Sequence, residues 1–212
     1  MMSPSRGHSR FPLVAAVALF GALGAPAAAG DPDRTADARA RIQSMWDTVL
    51  PILANKGIDA PGREARFGVI YRANFDNAGI AAAVTGAAWQ QATQSQRERF
   101  LRLFEIYVIK VYAGQFGSYN GEQMLVRASE ADGDGAMVTT QLVESNGRAI
   151  EIKWRMRPSG AGLKVRDVLV ENISMTLHQR REFSAVMMAR GRSLDALSDA
   201  LNEKIAQLDK RN

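Results

Sequence analysis

The chain has 212 residues, a formal charge of +5, no cysteine and two histidines. Without cysteine there is no disulfide framework, no thiol catalysis and no Cys-ligated zinc, so stability must come from a packed core. Residues 1–30 hold Arg6 and Arg10 and no acid, which leaves 25 basic against 22 acidic residues, a net +3, in the remainder; with no long basic run interleaved with aromatics, nucleic acid is not indicated as a partner, and a charge this mild suits a solvated basic surface, anionic lipid headgroups or an acidic partner.

The first segment is predicted to lie outside the fold. Arg6, His8 and Arg10 form a basic start, Phe11 to Leu23 is an apolar run, and Ala27-Ala28-Ala29 offers a small-x-small cleavage site before Gly30. That is the pattern of a secretory signal peptide over 1–29, cleaved after Ala29 or close to it. The apolar run is shorter than the ~20 residues of a membrane span, which separates this reading from an uncleaved anchor. Export removes the protein from the ATP supply, so nucleotide-driven chemistry is not expected. A mature chain of about 182 residues is long enough for one good core. The expected organisation is a single α+β domain over 30–212, helical over 33–118, sheet over 123–173 and helical again over 175–208.

In the first third, Asp33 or Thr35 is placed to cap a helix carrying Ile42, Met45, Trp46, Val49 and Leu50 at i, i+3, i+4 and i+7 spacing. Pro51 disturbs it and Gly57 ends any extension. A shorter helix is expected over Gly62–Asn74, with Phe67, Ile70 and Tyr71. Asp76 caps a small helix running to Val84 and closed by Gly86. Thr93 stands three residues before Gln96, a capping-box start for a long helix. From Phe100 to Phe116 this helix is apolar over most of its circumference: Phe100, Leu103, Phe104, Tyr107, Val111 and Tyr112 make one stripe, and Leu101, Val108, Ile109 and Phe116 widen it. Such a helix must be enclosed or line something greasy. Arg97, Arg99, Arg102, Glu105 and Lys110 interrupt it too often for a membrane span.

The period then changes. Ala149 to Arg157 alternates, with Ile150, Ile152, Trp154 and Met156 on one side and Glu151, Lys153, Arg155 and Arg157 on the other, the pattern of a half-buried strand. Gln123–Ala131 and Ala136–Val143 are β-rich neighbours, and Leu163–Ile173 is expected as a fourth strand. Its apolar parity slips at Asp167, which predicts a bulge or bend there. Asp132-Gly133-Asp134-Gly135, Asn146-Gly147 and Ser159-Gly160-Ala161-Gly162 are hairpin-turn chemistry. Four strands and three hairpins give an antiparallel meander whose apolar face the helices must cover. Two more helices end the chain: Met175–Ala189 with Leu177, Phe183, Val186 and Met187, stopping at Gly191, and a helix capped by Ser193 with Leu194, Leu197, Leu201, Ile205 and Leu208 as its stripe.

Catalytic chemistry is thin. His178 is the one histidine after the leader, and no local pattern supplies a nucleophile or carboxylate to work with it. The Asp132–Gly135 run lacks the further ligands of an EF-hand and reads as a turn. Asp167 and Glu171, four apart on one expected strand, share a face and read as structural. Phosphate-binding glycine loops, HExxH and GxSxG are absent, and no metal site or cofactor is expected. Greasy surface is what remains: nine Met, the aromatic helix, and a sheet face bearing Trp154 and Met156.

The order of motifs is specific. W-x-x-A-T-x-x-Q-R-x-R-F and a helix ending Y-A-x-x-F-x-x-Y (Trp89–Tyr119) precede the meander; V-R-D-V-x-V-E-N-I-S-M (in Lys164–Met175) ends it, and R-x-E-F and G-R-S-L-D-A-L (in Arg180–Leu197) follow it. This resembles the MlaC family of periplasmic phospholipid-binding proteins, also called toluene-tolerance auxiliary proteins, over roughly Phe75 to Leu201; the hopanoid-associated HpnM branch belongs to the same broad group. The resemblance implies an NTF2-like curved sheet of four strands under several helices, with an apolar cavity between the layers for acyl chains. It implies a periplasmic, non-enzymatic carrier that shuttles phospholipid between an outer-membrane lipid-donor complex and an inner-membrane ABC transporter complex with a lipid-binding ring subunit, maintaining outer-membrane lipid asymmetry. Carried onto this chain, the tail pocket draws on Phe104, Val108, Val111 and Tyr112 from the helix and on Val138, Ile150, Ile152, Trp154 and Val165 from the sheet, with bound phospholipid as cargo rather than cofactor. The alternatives are a hopanoid-associated lipid-binding protein and an envelope adaptor with a filled core. Arg97, Arg99 and Arg102 are candidates for docking to the membrane complexes, against a plain solvated helix face.

Overall fold

The computed structural model describes residues 32–115, 119–160 and 162–210; the leader expected over 1–29, and Phe116, lie outside them. Helix α1 (Pro32–Ala54) is followed by α2 (Ala60–Asn74), α3 (Asn77–Thr85), the single-turn α4 (Ala87–Gln91) and the long α5 (Gln94–Gln115). Local signals set most of these ends. Asp59 and Asp76 accept from the backbone N–H of Gly62 and Gly79, so α2 and α3 begin where a side-chain oxygen meets the orphan donors of the first turn. At α5 the capping box is complete: Gln96 N–H donates to Thr93 Oγ1 (3.3 Å) and Thr93 N–H to Gln96 Oε1 (2.8 Å). Helix α1 runs through Pro51 to Ala54 rather than stopping there. So near the C-terminal end a proline forfeits one backbone bond, and the burial of Ile52 and Leu53 carries the last turn onward.

Four long strands follow, β1 (Gln123–Asp132), β2 (Gly135–Val143), β3 (Ala149–Ser159) and β4 (Gly162–Val170), then β5 (Ile173–Ser174). The sheet is antiparallel throughout with strand order β1-β2-β3-β4-β5. The expectation of four strands is thus corrected to five. Leu163–Ile173 does not continue as one strand, because Glu171 (φ 48°) and Asn172 (φ 63°) both adopt left-handed backbone and fold Ile173 back against Val170. Two consecutive positive-φ residues make a tight hairpin turn. Asn tolerates this conformation and Glu does not, so the sequence lacks the usual Asn-Gly marker. Glu151 of β3 holds the turn instead: Glu171 N–H donates to its carbonyl (3.0 Å), and its own N–H donates to Glu171 Oε1 (2.7 Å).

Two register shifts bend the sheet. One lies between Val126 and Ala128 in β1, leaving Arg127 as the extra residue. The other lies in β4, where Arg155 pairs with Asp167 and Met156 with Val165, leaving Arg166 unpaired at the parity slip. Each bulge adds twist and curvature. Helices α6 (Met175–Arg190) and α7 (Leu194–Asp209) complete the helical layer. Ser174 and Ser193 cap them, and Gly191 ends α6 in the left-handed conformation (φ 109°).

Among the described residues the interior has three parts. Ala38 and Ile42 of α1 pack on Ala136, Val138, Met156 and Leu163 at the hairpin end of the sheet. A second cluster joins α3, α5, α6 and α7, with Phe100 and Phe104 stacked (5.6 Å between centroids) and Phe183 edge-on to both. A third holds Phe67 and Tyr71 of α2 against Ile109 and Ala113 of α5. The α2–α3 link joins the layers: Asp76 N–H donates to the Val165 carbonyl (3.0 Å), beside a parallel bridge between Phe75 and Val165.

Candidate functional site

Between the helices and the open end of the sheet lies a cavity of about 530 Å³, within the range of small-molecule sites. Helix α1 supplies Met45, Trp46, Val49 and Leu53, and α2 supplies Phe67, Ile70 and Tyr71. From α5 come Phe104, Tyr107, Val108, Val111 and Tyr112. The floor is Met124, Leu142, Ile152, Trp154, Val165 and Val168. Met175, Thr176 and Gln179 from the first turns of α6 close one side.

The local sequence explains the placing. Helical spacing brings Tyr107, Val108, Val111 and Tyr112 to adjoining sides of α5. Strand alternation puts Ile152 and Trp154 on the inner face of β3, opposite Thr140 and Val138 of β2. Both side chains are only half-buried, because what they face is space. The Trp154 indole N–H is satisfied within the sheet by Thr140 Oγ1 (3.0 Å), whose own hydroxyl donates to the Ile152 carbonyl (3.1 Å), so this polar edge costs nothing when the cavity fills with apolar matter.

The cavity is electrically quiet and, where charged, acidic. Among the described residues that line it, Glu122, Glu144 and Asp167 carry charge and no lysine or arginine is present. Asp167 is spoken for: buried at 7% exposure, it accepts Ser174 Oγ–H (2.7 Å) and Thr176 N–H (3.0 Å), with Arg155 Nη1 at 3.6 Å. It therefore pins the start of α6 to the bulge in β4. Glu171 is not its partner on a shared face; it stands in the β4–β5 turn. Burial, with Glu105 adding to it, pushes the Tyr71 hydroxyl above its ordinary range, and burial likewise raises Tyr107. Both phenols stay neutral, and Tyr71 donates to Asn77 Oδ1 (2.9 Å).

Seven of the nine residues predicted for a tail pocket stand on the cavity wall: Phe104, Val108, Val111, Tyr112, Ile152, Trp154 and Val165. Val138 is fully buried in the core beneath Ala38 and Ile42. Ile150, at the start of β3, is half-buried and off the wall, although its partner Leu142 lines it. The prediction missed the whole contribution of α1 and α2. The stripe Met45, Trp46 and Val49 was visible, but nothing in it distinguished a cavity wall from a core face.

Elsewhere several acids and cations are engaged in structure. Asp132 binds Arg155 Nε and Arg157 Nη2, each at 3.0 Å, and Asp134 binds Arg157, which secures the Asp132–Gly135 hairpin. His178 is exposed on α6, and no group of three His, Cys, Asp or Glu able to hold a metal ion occurs among the described residues. Arg97 donates to the Trp89 and Gln90 carbonyls, and Arg99 bridges Asp195 and Asp199 of α7. Two of the three arginines proposed for docking therefore fasten α5 to its neighbours, and Arg102 alone is left for a solvated or docking role. Among the described residues no helix is long and apolar enough to cross a membrane.

A protein-family model described as MlaC protein matches residues 43–203, about three quarters of the chain. The chain belongs to the MlaC family. Every residue lining the cavity, from Met45 to Gln179, falls inside the matched span. The MlaC match also begins well before Phe75, the start of the span over which the resemblance is drawn, and so takes in the α1 and α2 walls. Among curated proteins, the toluene tolerance protein ttg2D of Pseudomonas putida is 27% identical over 119 residues, 56% of this chain and 55% of that protein; the chain thus spans about half the length of the curated relative it matches. Among solved structures, the phospholipid-binding protein from Ralstonia solanacearum, determined in complex with a phospholipid, superposes with a TM-score of 0.73 at 22% identity, covering 82% of this chain and 99% of that one. At this identity the likeness establishes the α+β fold with its curved antiparallel sheet.

Proposed function

We propose that this MlaC-family chain is a periplasmic phospholipid carrier. It encloses acyl chains between helices and sheet, on an NTF2-like plan, and moves lipid between an outer-membrane donor complex and an inner-membrane ABC transporter complex with a lipid-binding ring. The observation that carries this reading is the apolar cavity of about 530 Å³ with no cation among the described residues of its wall. Apolar burial alone supplies affinity, about 0.8 kcal/mol per methylene, and no catalytic group is needed. The phosphate stays at the mouth: inside it would meet Glu122, Glu144 and Asp167 with nothing to pair it, and dehydrating an unpaired charge is prohibitive. The family membership and the phospholipid in the Ralstonia solanacearum neighbour support the same reading.

The test is lipid extraction and mass spectrometry on protein expressed with its own leader, beside Val108→Trp and Ile152→Trp. Both side chains border the cavity, so the variants should fold and carry less lipid. Wild type without lipid, or variants that keep a full load, would reject the carrier reading.

A further inference from the structure

Helix α6 has two faces with different business. Thr176, Gln179, Phe183 and Met187 turn inward, the first two to the cavity and the last two to the aromatic core. Leu177, Arg181, Ser184 and Met188 follow at i, i+4, i+7 and i+11 on another side, and with Arg180 and Ala185 they form one shallow surface depression built from this helix alone. Leu177 is 53% and Met188 68% exposed, among the most exposed large apolar side chains of the described residues. Ile173, on the strand leading into the helix, is 58% exposed.

The charge on this face is one-sided. Among the described residues no ion pair engages Arg180 or Arg181, whereas Arg99, Arg155, Arg157, Arg166 and Arg190 all have carboxylate partners. The one acid of the helix, Glu182, projects from a different side. Exposed apolar side chains flanked by unneutralised arginines, on a helix lying along the surface, are the makings of an interfacial contact: the apolar groups enter the headgroup boundary while the guanidinium groups meet lipid phosphates. The turn that begins this face, at Leu177, is the turn whose Thr176 and Gln179 line the cavity, so a surface held here lies beside the cavity wall.

We infer that the outer face of α6, centred on Leu177, Arg181 and Met188, docks on an anionic lipid bilayer. Each arginine near such a surface is worth about fivefold in partition. The test is co-flotation of the full chain with vesicles of phosphatidylcholine alone and of phosphatidylcholine mixed equally with phosphatidylglycerol. Wild type, Arg181→Glu, Arg181→Lys and the double variant Leu177→Ser/Met188→Ser all carry the same N-terminus, so differences isolate the α6 face. Wild type should favour the anionic vesicles, with partition falling as salt rises. Arg181→Glu should lose about tenfold or more on anionic vesicles, Arg181→Lys should retain wild-type partition, and the double variant should lose binding to both. These positions are exposed, so thermal melts should be unchanged. Equal binding to neutral and anionic vesicles, or Arg181→Glu behaving as wild type, overturns the inference. So does a wild-type dimer that the double variant dissociates, which would make the face a contact between copies of this chain. Bound lipid measured on the same samples keeps the proposed carrier function separate: wild type that carries lipid yet does not float with anionic vesicles rejects the docking surface alone.

Discussion

Helix α5 lies in two environments. Over its first turns Phe100 and Phe104 are buried and locked against Phe183, Leu197 and Leu201. Over its last turns Val108, Val111 and Tyr112 border open space, and Tyr112 is 42% exposed. Helix α1 divides the same way: Ala38 and Ile42 press on the hairpin end of the sheet, while Met45, Trp46 and Val49 wall the cavity. In both helices the inward-facing side chains are apolar at either end. The difference lies in what stands opposite, a layer in contact at one end and a sheet curving away at the other.

The largest effect should separate the two ends of α5. Phe100→Ala empties a fully buried site and should cost about 3–5 kcal/mol in denaturant unfolding. Val111→Ala, at the cavity wall, should cost about 1 kcal/mol or less. Equal losses would mean that the cavity end is as solidly packed as the core end.

A smaller contrast divides the sheet face. Val138 and Trp154 are a cross-strand pair, as are Thr140 and Ile152. Val138→Phe has no room beneath Ala38 and Ile42 and should lose about 1–3 kcal/mol by overpacking. Ile152→Phe has the cavity to extend into, and its stability should hold while bound lipid falls. A larger stability loss from Ile152→Phe than from Val138→Phe would place the free volume on the wrong side of Thr140.

The smallest effect concerns the closed end, where Arg155 and Arg157 clamp Asp132. Burial works to raise the Asp132 carboxyl, and the hydrogen bonds and charges of the two arginines together outweigh it, so the group titrates below its usual range. A depressed carboxyl contributes stability that is fully present above the unfolded value of about 3.9 and is lost as pH falls through the folded value. The melting-temperature gap between wild type and Asp132→Asn should therefore be steady near neutrality and close below about pH 4. Parallel curves down to low pH would show that the clamp contributes nothing.

The signals that can be read along the chain are local. Caps at Asp76, Thr93 and Ser193, the alternation in β3 and the glycine hairpins all act within a few residues, so the elements were legible. The parity slip at Asp167 marked the β4 bulge for the same reason. The β4–β5 turn was not legible, because Glu171 adopts left-handed backbone under the hold of Glu151, twenty positions earlier in the chain. Nor was the division between core and cavity. Val138 and Ile152 are both β-branched, inward-facing and two positions removed in register, and only the curvature of the sheet and the course of α1 bury one and leave the other facing space. Apolar patterning fixes which side of an element avoids water; the distance between layers, set by bulges and by the helices that meet them, decides whether that side is filled by the protein or left open for a ligand.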